Sequence, residues 1–73
     1  MFPNLIGEMK KFNVKVEDLS KVLERSSTNV RARLRGSTQI TYGEACKIRD
    51  YLNDNFGTNY TIDYLFASEP IAL

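Results

Sequence analysis

The segment from residue 26 to residue 36, SSTNVRARLRG, constrains the fold of this chain most strongly. Ser26 can accept a hydrogen bond from an orphan backbone N–H of a following helical turn, and Gly36 can adopt the left-handed conformation that ends a helix. Between them only Val30 and Leu34 are large and apolar, and their spacing places them on one helix face. The segment predicts a short helix held by two aliphatic anchors, with small polar groups and arginines facing outward.

Positive charge is concentrated around this segment. The net charge of the chain is only +1, but residues 25–43 carry four arginines and no acid, whereas residues 44–73 sum to −3. A partner anion responds to the charge within a Debye length of it, not to the total. A solvated helix face normally mixes both signs, so we favour contact with nucleic acid over the alternative of a plain solvated face.

Composition limits what else the chain can do. It has 73 residues, of which 42% are hydrophobic and 26% charged, as expected for one small soluble domain. No apolar run is long enough to span a bilayer, and residues 1–6 lack the basic segment and apolar core of a signal peptide. A single cysteine, Cys46, and the absence of histidine exclude an internal disulfide and a zinc-type ligand quartet. We therefore expect a cytoplasmic protein with no cofactor and no metal.

Apolar periodicity and capping residues predict four further helices, which makes the fold class all-α with five helices. The pattern Thr41-x-x-Glu44 is a capping box that opens the fourth helix. The predicted bounds of the first three are Pro3 to about Phe12, about Val16 to Leu23 and about Tyr42 to Asn53. Thr61 is expected to cap the last, short helix, which runs through Phe66.

The remaining positions are assigned by the same patterns. Glu8 is expected to face outward from the first helix, and residues 53–59 to form a turn-rich loop. Residues 37–39 predict a polar loop with free backbone donors. Residues 1–67 are expected to form one domain, and residues 68–73 a frayed tail. Cys46 is expected to pack as a small core residue, and the four tyrosines at the core rim, with base stacking as a minor option: Tyr42, Tyr51, Tyr60 and Tyr64.

Several short motifs follow one another over residues 2–67. They are Phe2-Pro3-Asn4-Leu5 with Glu8-Met9; Asp18-Leu19-Ser20 with Val22-Leu23, Ser26, Val30 and Leu34-x-Gly36; Thr41-x-x-Glu44-Ala45-x-Lys47-Ile48; and Ile62-Asp63-Tyr64-Leu65-Phe66-Ala67. In this order and spacing the chain resembles small phage and prophage regulators of the phage repressor and Cro type, the XRE-like family. The resemblance implies a compact five-helix DNA-binding domain with a helix-turn-helix, acting in a bacterial host as a nucleoid-associated transcriptional repressor or Cro-like switch.

The helix-turn-helix pattern assigns roles to individual residues. Recognition helices enter the major groove with their N-terminal residues nearest the bases. The expected base contacts are Ser27, Thr28, Arg31 and Ala32, and the expected backbone contacts are Lys15, Arg33, Arg35, Ser37, Thr38 and Gln39. Two alternatives stay open at this point: Asn29 is either a further contact or a first-turn capping residue, and Lys15 is either a contact or simply solvated.

Departures from the family pattern favour a second interpretation. Lys15 and Val16 stand where the family usually has a Thr cap and a Gln that touches DNA, Glu24 stands where it has a turn Gly, and Arg25 replaces a small apolar residue. The alternative is a protein-interaction module, such as an antirepressor, that keeps the fold but binds DNA weakly or not at all.

The partner expected from the resemblance is a palindromic double-stranded operator bound by a homodimer. With no separate oligomerisation domain, the dimer would use the fourth and fifth helices or residues 53–60, or would form only on DNA. We do not expect an enzyme, because the chain has no histidine and no evident buried carboxylate pair. The capping box explains Glu44, and the helix dipole explains Asp63.

Overall fold

Every helix contributes a fully buried aliphatic side chain to a single core. A computed structural model describes residues 2–68, and within that range it contains five α-helices and no β-strand. They are α1 Pro3–Lys11, α2 Val16–Leu23, α3 Ser27–Arg35, α4 Tyr42–Phe56 and α5 Ile62–Leu65. The most completely buried side chains are Leu5, Leu19, Val30, Ile48, Leu52 and Leu65. The all-α, five-helix prediction is confirmed for these residues.

The helices fall into two packed groups that share α4. Helix α2 packs against α3 and α4, and α5 packs against α1 and α4. Among the described helices, the backbone of α3 packs against α2 alone. The position of α3 therefore depends on its contact with α2 and on any side chains that reach it from elsewhere.

The predicted helix caps are present. The Ser26 hydroxyl accepts a hydrogen bond from the Asn29 N–H, and Gly36 ends α3 with a positive φ of 83°. The two halves of the predicted capping box on α4 are formed between Thr41 and Glu44, each side chain accepting from the other's backbone N–H. These short-range bonds satisfy donors that a helix terminus leaves open, so the start of each of these helices is recognisable from the sequence.

Helix α4 is longer than the sequence predicts. It continues beyond Asn53 through residues 54–56, which the sequence pattern assigns to a loop, and stops at Gly57 with a φ of 63°. The amide of Asn53 bonds both the N–H and the carbonyl of Tyr60, so Asn53 closes the following loop from within the helix. Phe56 stacks on Phe12 with ring centroids 4.5 Å apart, which provides tertiary stabilisation for the last turn.

The outward orientation predicted for Glu8 is wrong. Glu8 is buried, and its carboxylate accepts hydrogen bonds from the hydroxyls of Tyr60 and Tyr64, the latter at 2.7 Å. Burial raises the pKa of Glu8, but the two tyrosine hydrogen bonds and the charge of Lys11 outweigh it and leave the pKa below its ordinary value. Since Tyr60 and Tyr64 lie more than 50 positions along the chain from Glu8, local periodicity contains no sign of them.

Three further expectations are revised or concern residues beyond the described range. Tyr42 is 74% exposed and does not lie at the core rim, whereas the other tyrosines pack against the core as predicted. Cys46 is half-buried instead of lying within the core. The tail expected over residues 68–73 lies outside the described residues except for Ser68.

None of the helices within residues 2–68 combines the length and apolar character that crossing a membrane requires.

The turn between α2 and α3 contains a strained residue. Glu24 has a φ of 54°, a left-handed conformation that costs a residue with a Cβ roughly 1 kcal/mol or more.

We expect Glu24→Gly to raise the free energy of unfolding by about 0.5–1 kcal/mol in chemical denaturation. Glu24→Ala removes the same carboxylate but keeps the strain, so it should not stabilise; equal stabilisation by both variants would show that the charge, not φ, matters.

Candidate nucleic-acid interface

Two aliphatic anchors hold α3 against the rest of the protein. Val30 and Leu34 are both buried, as predicted, and belong to the same core cluster as Leu19 and Leu23 of α2. Cap bonds at Ser26 and Gly36 close the two ends of the helix. The opposite side of α3 is thereby turned away from the core.

The side of α3 turned away from the core is the surface that the sequence assigns to DNA. It carries exposed Thr28, Asn29, Arg31 and Arg35, while Ser27 and Ala32 are half-buried beside them. The backbone N–H of Asn29 is used by the Ser26 cap, and its side chain is exposed, so the structure leaves its two predicted roles compatible. We call Ser27, Thr28, Arg31, Ala32 and Arg35 the α3 surface.

Arg33 does not belong to the α3 surface. Its side chain is only 13% exposed, and Nε lies 3.0 Å from both carboxylate oxygens of Glu44. Its Nη1 donates to the Asn29 carbonyl, 3.1 Å away. The phosphate contact predicted for Arg33 is therefore corrected: a guanidinium that is turned inward and already bonded on two sides ties α3 to the start of α4.

Glu44 collects interactions from three segments of the chain. Besides Arg33 and the Thr41 N–H, it lies 3.4 Å from Nε of Arg25, which is half-exposed in the turn between α2 and α3. Burial raises the pKa of the Glu44 carboxyl, but the hydrogen bond from Thr41 and the hydrogen bond and charge of Arg33 outweigh it, so the pKa falls below its ordinary value. Glu44 is thus a buried anion that joins the turn, α3 and α4.

Arg31 has a carboxylate beside it as well. Its Nη2 lies 3.8 Å from Oε1 of Glu17, and the two side chains are 52% and 62% exposed. An ion pair this open is worth only about 0.2–1 kcal/mol, because water screens both charges. Arg31 is therefore oriented by Glu17 but can exchange it for another anion at little cost.

The loop after α3 has fewer open donors than the sequence predicts. The N–H groups of Ser37 and Thr38 both donate to the Ala32 carbonyl, at 2.9 and 3.3 Å, and Gly36 donates to Arg33. These bonds satisfy the last carbonyls of the helix, so the expectation of free backbone donors is wrong for these residues. The side chains of Ser37, Thr38 and Gln39 remain exposed.

The N-terminus of α2 lies beside α3. Because Glu17 contacts Arg31, the first turn of α2 faces the middle of the α3 surface. Lys15 is exposed at the cap position of that turn, and its backbone N–H donates to the Asp18 carboxylate 2.9 Å away. Val16 packs against the core and offers no polar group in place of the Gln of the resembled family.

In the folded protein, two carboxylates from neighbouring elements offset part of the positive charge that the sequence places in residues 25–43. Residues 25–43 contain no acid, but Glu44 and Glu17 reach three of the four arginines from neighbouring elements. In the sequence, the capping box already accounts for Glu44 and the helix dipole accounts for Glu17 in the first turn of α2. Nothing in those local roles indicates that each acid also contacts an arginine. The sequence feature that could have indicated the Arg33–Glu44 contact is the separation of the two residues by one short loop. That separation does not by itself distinguish an ion pair from two solvated side chains.

Comparison of the chain with family models, curated proteins and solved structures finds no match. No cluster of histidine, cysteine or acidic side chains within residues 2–68 is arranged to hold a metal ion. The α3 surface offers hydroxyls, a methyl group and guanidinium donors. These groups suit phosphate oxygens and base edges.

Removal of the Glu44 charge should loosen the attachment of α3. We expect Glu44→Gln to lower the free energy of unfolding by about 2 kcal/mol, because it leaves the Arg33 guanidinium without its anion. Chemical denaturation followed by circular dichroism measures this. Glu17→Gln removes a largely exposed charge from the same neighbourhood and should change stability by less than about 1 kcal/mol; equal losses in the two variants would contradict a special role for Glu44.

The same carboxylates should make the protein sensitive to acid. Because the folded-state pKa values of Glu44 and Glu8 lie below the ordinary value of 4.5, their contribution is complete above that pH and is lost as pH falls through the folded values. Unfolding free energy measured between about pH 7 and about pH 3 should decline more steeply in the wild type than in Glu44→Gln. Parallel profiles would show that Glu44 does not contribute to the acid transition.

Proposed function

We propose that this protein is a sequence-specific double-stranded DNA-binding transcriptional regulator, a repressor or Cro-like switch with a helix-turn-helix formed by α2 and α3. The observation that carries the proposal is the α3 surface: a short helix, capped at both ends and anchored from behind by Val30 and Leu34, turns hydroxyls and arginines away from the core. We infer a cytoplasmic, nucleoid-associated location from the same argument.

The position of each residue on or beside α3 would decide whether it contacts bases or phosphates. Ser27 and Thr28 lie in the first turn of α3, where a recognition helix comes nearest to the base edges. Arg31 follows one turn later and can form two hydrogen bonds to a guanine, and the Ala32 methyl suits the methyl group of thymine. Arg35 at the end of α3, the exposed side chains of residues 37–39 and Lys15 beside the first turn of α2 suit phosphates on either flank.

The ion pairs of the arginines limit which of them we propose as DNA contacts. Arg33 is held by Glu44 and is omitted from the contact set, and Arg25 lies within reach of the same carboxylate. Arg31 keeps half of its side chain exposed, and its weak pair with Glu17 can be replaced by a base or phosphate. Affinity should therefore depend on few phosphate contacts, and binding should lose strength with salt according to their number.

Two single substitutions separate base contact from phosphate contact. Sequences selected from a random duplex pool would serve as the specific probe and a scrambled duplex as the non-specific one. Arg31→Ala should reduce the preference for the selected sequence roughly tenfold, whereas Arg35→Ala should weaken both duplexes alike and lower the salt slope by about 0.9.

Lys10→Ala is the matched control, since Lys10 is an exposed cation on α1, which does not pack against α3. It should leave both affinities within about twofold of the wild type, because α1 packs against neither helix of the proposed helix-turn-helix. Binding that does not respond to salt, or equal losses in all three variants, would contradict the proposal.

The second candidate function is a protein-interaction module, such as an antirepressor, built on the same fold. It is favoured by the placement of Glu17 and Glu44 against three of the four arginines, which lowers the attraction of this surface for a polyanion. Capture of a repressor by the protein, together with no mobility shift of any duplex, would select it. A homodimer, in solution or formed on DNA, remains part of the first candidate because two half-sites require two recognition helices.

A further inference from the structure

We propose that Glu17 is a specificity-determining residue, which orients Arg31 and itself accepts a hydrogen bond from a cytosine amino group next to the guanine that Arg31 contacts. The inference rests on the proposed DNA-binding function and names the base pattern that the α3 surface would prefer. It arises from one juxtaposition: a carboxylate from the first turn of α2 lies beside the arginine in the middle of α3.

The geometry distinguishes Glu17 from the other acids near α3. Glu44 is buried and engaged by Arg33 and Thr41, and it cannot reach a ligand outside the protein. Asp18 accepts the Lys15 N–H and caps its own helix. The Glu17 side chain is 62% exposed, and beyond its 3.8 Å contact with Arg31 most of its surface is open to a ligand.

The chemistry of the major groove suits such a pair. Guanine presents two acceptors, O6 and N7, that match an arginine, and cytosine presents an amino donor that matches a carboxylate. A carboxylate facing the groove is costly unless it meets such a donor, since phosphates repel it and burial strips its water. Glu17 would therefore add little affinity but would reject sequences that lack cytosine at the position it faces.

The pair also restricts Arg31. A lone exposed arginine swings freely and can bind any phosphate within reach, which strengthens non-specific binding. With Glu17 beside it, the net charge of the pair is zero, so contact with a phosphate must compete with an anion already present. Because the pair is half-exposed and weak, this competition lowers non-specific affinity by roughly fivefold at most, and the ratio of specific to non-specific binding rises by no more than the same factor.

The test is selection of bound duplexes from a random pool by the wild type, Glu17→Gln and Asp18→Asn. Both substitutions remove one negative charge from the first turn of α2, and asparagine keeps an oxygen that can still cap the helix. We expect the wild-type motif to contain two neighbouring G·C base pairs, one contacted by Arg31 through its guanine and the next contacted by Glu17 through its cytosine. The guanine and the cytosine can lie on the same strand or on opposite strands. Glu17→Gln should exchange the preference for cytosine for a preference for adenine, which a glutamine side chain matches, with a change of roughly tenfold in discrimination at that position only.

Each result leads to a decision. A wild-type motif that is unchanged in Glu17→Gln, with a gain in overall affinity equal to that of Asp18→Asn, would overturn the inference and leave the DNA-binding function standing, because the effect would be charge alone. A changed base at one position in Glu17→Gln but not in Asp18→Asn would support it. A wild-type pool with no enriched sequence would overturn the proposed function together with the inference.

Discussion

The Glu44 carboxylate is the interaction on which the placement of α3 depends. Among the described helices the backbone of α3 packs only against α2, so beyond the apolar anchors Val30 and Leu34 its position relative to α4 depends on a polar side-chain contact. Glu44 supplies it by bonding Arg33 while its other contacts reach the turn at Arg25 and its own helix cap at Thr41. Oε1 of Glu44 accepts hydrogen bonds from Arg33 and from the Thr41 N–H, whereas buried Oε2 has no hydrogen-bond partner and lies only within ion-pair distance of Arg33 and Arg25. The two nearby guanidinium charges therefore compensate for only part of the hydration that the carboxylate loses.

This arrangement separates the arginines by role. Arg33 is turned inward and has a structural function, whereas Arg31 and Arg35 remain at the exposed side of the helix. The proposed DNA surface is therefore smaller and less positive than a cluster of four arginines suggests. If it binds DNA as we propose, a surface of this kind would depend more on hydrogen bonds to bases than on bulk electrostatic attraction.

The second buried carboxylate, Glu8, has an equivalent role at the opposite group of helices. Its bonds to Tyr60 and Tyr64 connect α1 to α5 and to the loop before it, and the stacked rings of Phe12 and Phe56 connect the end of α1 to the end of α4. Small domains have little apolar area to bury, so specific polar contacts of this type contribute to fixing one arrangement of short helices. Neither carboxylate lies on the α3 surface.

Local sequence was sufficient to specify the five helices, the caps at Ser26, Thr41 and Thr61, and the anchoring of α3 by Val30 and Leu34, because these depend on contacts within a few residues. Four features follow instead from the packed fold: Glu8 is buried, α4 runs to Phe56, Arg33 turns inward and Glu17 stands beside Arg31. In each of those cases the deciding partner is distant along the chain, while exposure, a turn or a helix dipole already accounts for the local pattern.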